Sequence, residues 1–175
     1  SAFESGGFGV TQTRGWPYTD RPMDTGRNKG RGARLALAER AAVLDRVPLF
    51  QGLPKKHLKG IARVASVREF YDGADIVREG HKGANCFVVV DGSAAVVKNG
   101  KEIATLGPGD VIGEMAIFDD VPRTATVVAR GPLTALHLSR SQLIGFLEEN
   151  PQAALRLLEI MARRLRATTE SATSM

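Results

Sequence analysis

Residues 85–106, NCFVVVDGSAAVVKNGKEIATL, decide how this chain folds. The runs 85–92, 93–98 and 101–106 are short, apolar and rich in β-branched residues. Asn99-Gly100 between two such runs marks a type I′ hairpin, because both central positions of that turn need positive φ. The same pattern continues outward. SVREFY (66–71) and DIVRE (75–79) precede it; VIG (111–113), RTATVVAR (123–130) and TALHL (134–138) follow. LGPGD (106–110) is a further turn cluster. Eight short strands with frequent turn signals predict an eight-stranded β-roll or jelly roll, a double-stranded β-helix.

Helical periodicity flanks this β region on both sides. ARLALAERAAVLDRV (33–47) places apolar residues at helical spacing, and Pro48 is expected to end that helix. LPKKHLKGIARVA (53–65) reads as a second helix opened by Pro54, with Leu58, Ile61 and Val64 on one face. After the strands, SRSQLIGFLEEN (139–150) carries Ser139 and Gln142 at capping-box spacing. NPQAALRLLEIMARRLRATTE (150–170) opens with Asn150 as N-cap and Pro151 at the first helical position. On this last helix Ala154, Leu155, Leu158, Met161, Ala162 and Leu165 form a stripe, read as core or dimer seam. Arg163, Arg164 and Arg166 read as a solvated face. The expected architecture is mainly β, with N-terminal helices before the roll and two C-terminal helices after it.

Residues 1–32 have no hydrophobic period and are rich in Gly, Thr, Arg and Pro. They are expected to form a flexible basic tail, with Trp16-Pro17-Tyr18 as a segment able to dock on a partner. Residues 33–175 form the globular domain. The net charge is +5, with a surplus of three in residues 1–40 and two in 41–175. The basic signal therefore belongs mainly to the tail. With one cysteine, Cys86, no intramolecular disulfide can form. No apolar run is long enough to span a membrane, and the N-terminus lacks a secretory pattern, so a cytoplasmic protein is expected.

The chemistry concentrates in GEMAIFDDVPRTA (113–125). It lies between a strand ending at Ile112 and one starting near Arg123, with room for a helical turn over Glu114–Phe118. Gly113 lets the backbone approach a ligand closely. Unpaired N–H groups at a helix start make an anion site. Arg123 adds charge-assisted hydrogen bonds to a phosphate and Thr124 a hydroxyl, while small Ala116 and Ala125 leave room. Glu114 would repel phosphate. It makes sense as the acceptor for a neighbouring hydroxyl such as a ribose 2′-OH. Phosphate and 2′-OH together, within one turn, describe a cyclic nucleotide.

This segment closely resembles the phosphate-binding cassette of cyclic nucleotide-binding domains. The resemblance runs from about Leu44 to Arg166 and includes VPLFQGLPKKHL, Arg78-Glu79-Gly80, FVVVDGSAAVV and LGPGDVIGE. It implies that Glu114 holds the ribose 2′-OH and that Arg123 pairs with the cyclic phosphate. The N–H groups of Met115 and Ala116, with Thr124 and Ala125, complete the phosphate shell. Val96, Ile103, Ala104 and Ile112 line the apolar side. It further implies a regulatory sensor, not an enzyme, that takes cAMP and, through Thr124, leaves cGMP open. MARRLRATTE (161–170) is similar to the start of the long dimer helix of the catabolite-activator branch, so a homodimer or protein partner is expected on the C-terminal helices. The chain stops at Met175 without a recognition helix, so no sequence-specific DNA binding is expected.

Other groupings are weaker. Asp119-Asp120 is a solvated turn rather than an acid/base pair. His57, His81 and His137 fall on a helix, a turn and a late strand without the close pair a metal site needs, so no metal is expected. Cys86 reads as a buried strand residue. A second reading of the whole chain is an interaction module that keeps this fold, binds no nucleotide and works through its N-terminal tail.

Overall fold

The computed structural model of the chain describes residues 35–119 and 121–173. The tail expected over residues 1–32 lies outside them. The described chain begins with helices α1 (Leu37–Leu44) and α2 (Lys55–Val64), joined through a 3-10 turn at Pro48–Phe50. Strands β1 (Ser66–Phe70), β2 (Asp75–Val77), β3 (Asn85–Lys98), β4 (Lys101–Leu106), β5 (Val111–Ile112) and β6 (Thr126–Ser139) follow. Helices α3 (Arg140–Glu149) and α4 (Pro151–Thr173) close it.

All pairings are antiparallel, in the order β1-β6-β3-β4, with β2 also on β6 and β5 also on β3. The mainly β class with flanking helices is as expected, but the described residues hold six strands rather than eight. The missing boundaries lie inside β3 and β6, each of which absorbs two expected strands. Gly92 (φ +94°) and Gly131 (φ +75°) sit at those joins. The β3–β6 register shifts around Asp91, so the glycine provides a bulge and the strand continues. Asn99 (φ 51°) and Gly100 (φ +75°) both take the left-handed conformation that the β3–β4 hairpin requires.

Two apolar clusters fill the interior. One lies between the helices and the roll and contains Phe50, Ile61, Val88, Ile117, Leu136, Leu143 and Leu157. The other lies within the roll and contains Ile76, Phe87, Val89, Ile112, Val127 and Leu133. Ile117, from the middle of the cassette, belongs to the first cluster and anchors that segment against the helices.

The helix signals hold with corrections at the ends. α1 stops at Leu44, ahead of Pro48, which instead opens the 3-10 turn. Pro54 is the N-cap of α2. The face α2 buries consists of His57, Leu58, Ile61 and Ala62, with Val64 only partly covered. The Ser139 hydroxyl accepts from Gln142 N–H at 3.2 Å, and the Gln142 side chain accepts from Ser139 N–H at 2.9 Å, completing the capping box. Asn150 stands at the N-cap of α4, where its carbonyl accepts from Ala153 N–H at 2.9 Å and Ala154 N–H at 3.3 Å, while its side-chain amide donates back to Phe146 O at 2.9 Å at the end of α3. On α4 the buried face is Ala153, Leu157 and Ile160. The expected stripe is a different face, and its leucines are open: Leu155 54%, Leu158 61% and Leu165 69% exposed.

Candidate functional site

β5 pairs with the start of β3, Phe87 opposite Ile112, and delivers the chain to Gly113. Gly113 turns at φ +74°. A Cβ built there would lie 1.8 Å from Arg123 Nη1 and 3.0 Å from Asn85 O. Only a residue without a side chain lets the backbone pass this close to the guanidinium.

Met115–Ile117 then form one 3-10 turn, shorter than the Glu114–Phe118 turn expected. The Ala116 N–H donates to Gly113 O at 3.1 Å. It is therefore engaged within the turn in this structure.

Arg123 sits just before β6 rather than in it, on backbone tied to the preceding loop. Its N–H donates to His81 O at 3.0 Å, and its carbonyl accepts from Gly80 N–H at 2.8 Å. The half-buried side chain points inward. Nη2 donates to Asn85 O at 2.6 Å, while Nη1 is buried and has no hydrogen-bond partner among the described residues. A Cβ at Gly83 would stand 3.4 Å from Nη2, an ordinary van der Waals contact, so the loop before β3 passes directly beside the guanidinium. Burial lowers the Arg123 pKa from its ordinary value and nearby Cys86 opposes the shift. A guanidinium nevertheless stays charged at neutral pH. A buried, unsatisfied N–H on a cation is unfavourable until an acceptor arrives, and an anionic oxygen is the strongest such acceptor.

Glu114 is the second charged group. Its Oε1 accepts from Arg164 Nη1 at 2.6 Å. Arg164 belongs to α4, fifty positions along the chain, on the face that the sequence reads as solvated. The helix and the cassette thus share an ion pair that no local signal announced.

The remaining expected residues are distributed unevenly. Ile112 is buried and Val96 half-buried, with Val96 paired to Ala104 on β4 and Val127 on β6. Ile103 is 59% exposed and Ala104 is also open, so within this chain they form no covered wall. Thr124 is exposed, while Ala116 and Ala125 are half-buried. Cys86 is a buried strand residue, as read, with its thiol pushed up to about 12, mainly by burial. Glu114 adds to that shift and Arg123 opposes it. Among the described residues, no group of three His, Cys, Asp or Glu side chains could hold a metal ion. Nor is any helix there long and apolar enough to cross a membrane.

Sequence reasoning missed two contributors, Asn85 and Arg164. Asn85 acts through its backbone carbonyl, which residue type does not reveal.

Comparison with known proteins agrees with this arrangement. Residues 67–150 match the family model described as cyclic nucleotide-binding domain. The N-terminal domain of a transcriptional regulator from Streptomyces coelicolor is 34% identical with a TM-score of 0.68, over 74% of this chain and 93% of that one. A CRP-like cAMP-activated global transcriptional regulator of Mycobacterium tuberculosis is 27% identical over 134 residues. That match covers 74% of this chain, which spans 60% of the regulator's length. The regulatory domain of Toxoplasma gondii PKA, crystallised with cAMP, is 27% identical with a TM-score of 0.56, over 73% of this chain and 50% of that one. The sheet, the flanking helices and the cassette between β5 and β6 lead to one conclusion: the chain belongs to the cyclic nucleotide-binding domain family.

Proposed function

We propose that this chain binds a 3′,5′-cyclic nucleotide, cAMP before cGMP, and acts as a regulatory sensor rather than an enzyme. The observation that carries the reading is Arg123: a half-buried cation whose Nη1 has no partner among the described residues, set against a glycine that leaves room beside it. The mycobacterial relative named as cAMP-activated and the Toxoplasma domain crystallised with cAMP support the choice of ligand.

The cyclic phosphate takes Arg123 Nη1. The ribose 2′-OH donates to Glu114, the carboxylate that Arg164 also engages. Thr124, Ala125 and the Met115 amide border the phosphate; Val96, Ile103, Ala104 and Ile112 face the base. Ligand and α4 therefore meet on one side chain. Binding that favours one position of α4 shifts the population toward it. The exposed residues Leu155, Leu158, Ala162 and Leu165 repeat at the 3-4-3 spacing of a coiled-coil seam, which suits a second copy of the chain. In this reading residues 33–175 form the cytoplasmic sensor domain, and the tail of residues 1–32 is a separate attachment.

Titration calorimetry with cAMP and cGMP tests the proposal. Saturable heat is expected from the wild type and none from Arg123→Glu. A folded wild type that gives no heat with either nucleotide would overturn the reading.

A further inference from the structure

His137 on β6 lies two hydrogen bonds from the Arg123 guanidinium. It sits between β1 and β3, opposite Ser66 on one side and Phe87 on the other. Its ring is buried and packs on Phe87 with centroids 5.1 Å apart. Nδ1 lies 3.2 Å from Ser66 Oγ, and Nε2 lies 3.1 Å from Asn85 Oδ1. With Asn85 Oδ1 facing the ring, Nε2 carries the proton and donates it, and Nδ1 accepts from the Ser66 hydroxyl. Both ring nitrogens are then satisfied with the ring neutral.

Asn85 is the residue whose backbone carbonyl accepts from Arg123 Nη2 at 2.6 Å. It is also the first residue of β3, where the ladder begins. The preceding carbonyl, Ala84 O, accepts from Arg140 N–H at 2.7 Å. On β6 Asn85 pairs with Ser139. The bond from its side chain to His137 supplies a restraint from the sheet interior.

We infer that His137 is a positioning residue for ligand binding. It holds the Asn85 side chain, so that the Asn85 carbonyl holds the Arg123 guanidinium where Nη1 meets the ligand anion. This inference rests on the nucleotide reading for its ligand, but the link from His137 to Arg123 exists without ligand and can be read separately.

The test uses His137→Leu, which keeps the bulk and loses the donor, and His137→Gln, whose amide can replace Nε2–H. Asn85→Ala removes the acceptor while keeping the carbonyl. Calorimetry with cAMP follows binding, thermal unfolding follows the fold, and nitrogen-15 NMR of arginine side chains follows Arg123 in the unliganded protein. Displacing the guanidinium is expected to weaken cAMP about tenfold in His137→Leu and Asn85→Ala, with His137→Gln within about threefold of wild type. The Arg123 signals are expected to shift in the first two variants and return in the third. Wild-type affinity in folded His137→Leu overturns the inference, as does an equal loss in Leu and Gln variants. If His137→Leu does not fold, Asn85→Ala decides by the same criteria. If the wild type takes neither cAMP nor cGMP, the nucleotide reading falls. The NMR then decides alone: Arg123 signals unchanged by His137→Leu or Asn85→Ala overturn the inference, and shifted signals uphold it.

Discussion

Gly113 combines a left-handed backbone with the closest approach in the site, and both depend on the missing side chain. Gly113→Ala places a methyl 1.8 Å from Arg123 Nη1, so the guanidinium must move. The left-handed conformation itself costs an alanine about 1–2 kcal/mol. The expected result is a lower melting temperature together with loss of the cAMP heat, measured by calorimetry on the folded variant. The buried histidines make a second prediction. Burial lowers the pKa of His137, with Arg68 adding; burial also lowers that of His57, with Lys56 and then Arg156 adding. Both rings therefore bind protons less readily folded than unfolded. The stability this contributes is complete above about pH 6.5, the ordinary histidine value, and is lost as pH falls toward the lowered folded values. Unfolding midpoints measured from pH 7.5 to 5 should fall with pH, and His137→Gln should flatten that slope.

At the level of elements, the long strands β3 and β6 wrap the roll because glycine kinks them without ending them. Gly92 shows why that needs glycine. A Cβ there would lie 2.4 Å from Pro132 O and 2.9 Å from Leu133 Cα, both backbone atoms of the neighbouring strand. Neither can yield without shifting β6. Gly92→Ala should therefore destabilise the domain by about 2–3 kcal/mol, seen as a lower denaturant midpoint with an unchanged slope. The same feature explains the difference in strand number. Asp91-Gly92 has turn composition, and residue type alone does not separate a turn from a bulge. Asn99-Gly100 was legible because two consecutive positive-φ residues between apolar runs have few other uses. The capping box at Ser139 and Gln142 was legible for a similar reason, since both bonds lie within four residues.

For the whole molecule, α4 is the element with one apolar face buried and another exposed. Its inner face packs Ala153, Leu157 and Ile160 into the core, while Leu155, Leu158 and Leu165 face solvent in this chain. If a second copy covers that seam, wild type should sediment as a dimer. Leu158→Glu combined with Leu165→Glu should then give a monomer with the fold retained, since neither residue belongs to the buried core. Sedimentation velocity checks both outcomes, and a monomeric wild type would remove the seam from the account. Of the stripe expected as core or dimer seam, Met161 packs against the core while Leu155, Leu158 and Leu165 stay open, because a pattern identifies an apolar face but not what covers it.

The sequence by itself determined what depends on near neighbours along the chain. That includes the hairpin at Asn99-Gly100, the cap at Ser139, the β-branched runs of the strands, and the order Gly113, Glu114, Arg123 that marks the cassette. The tertiary structure alone decided the pairings between distant residues. Arg164 meets Glu114 across 50 positions, His137 meets Asn85 across 52, and Ser66 meets His137 across 71. Local patterns record backbone preference and solvent exposure, and these act over a few residues. A polar side chain finds a distant partner only after the sheet has closed and the helix has docked, so its partner is a property of the packed molecule.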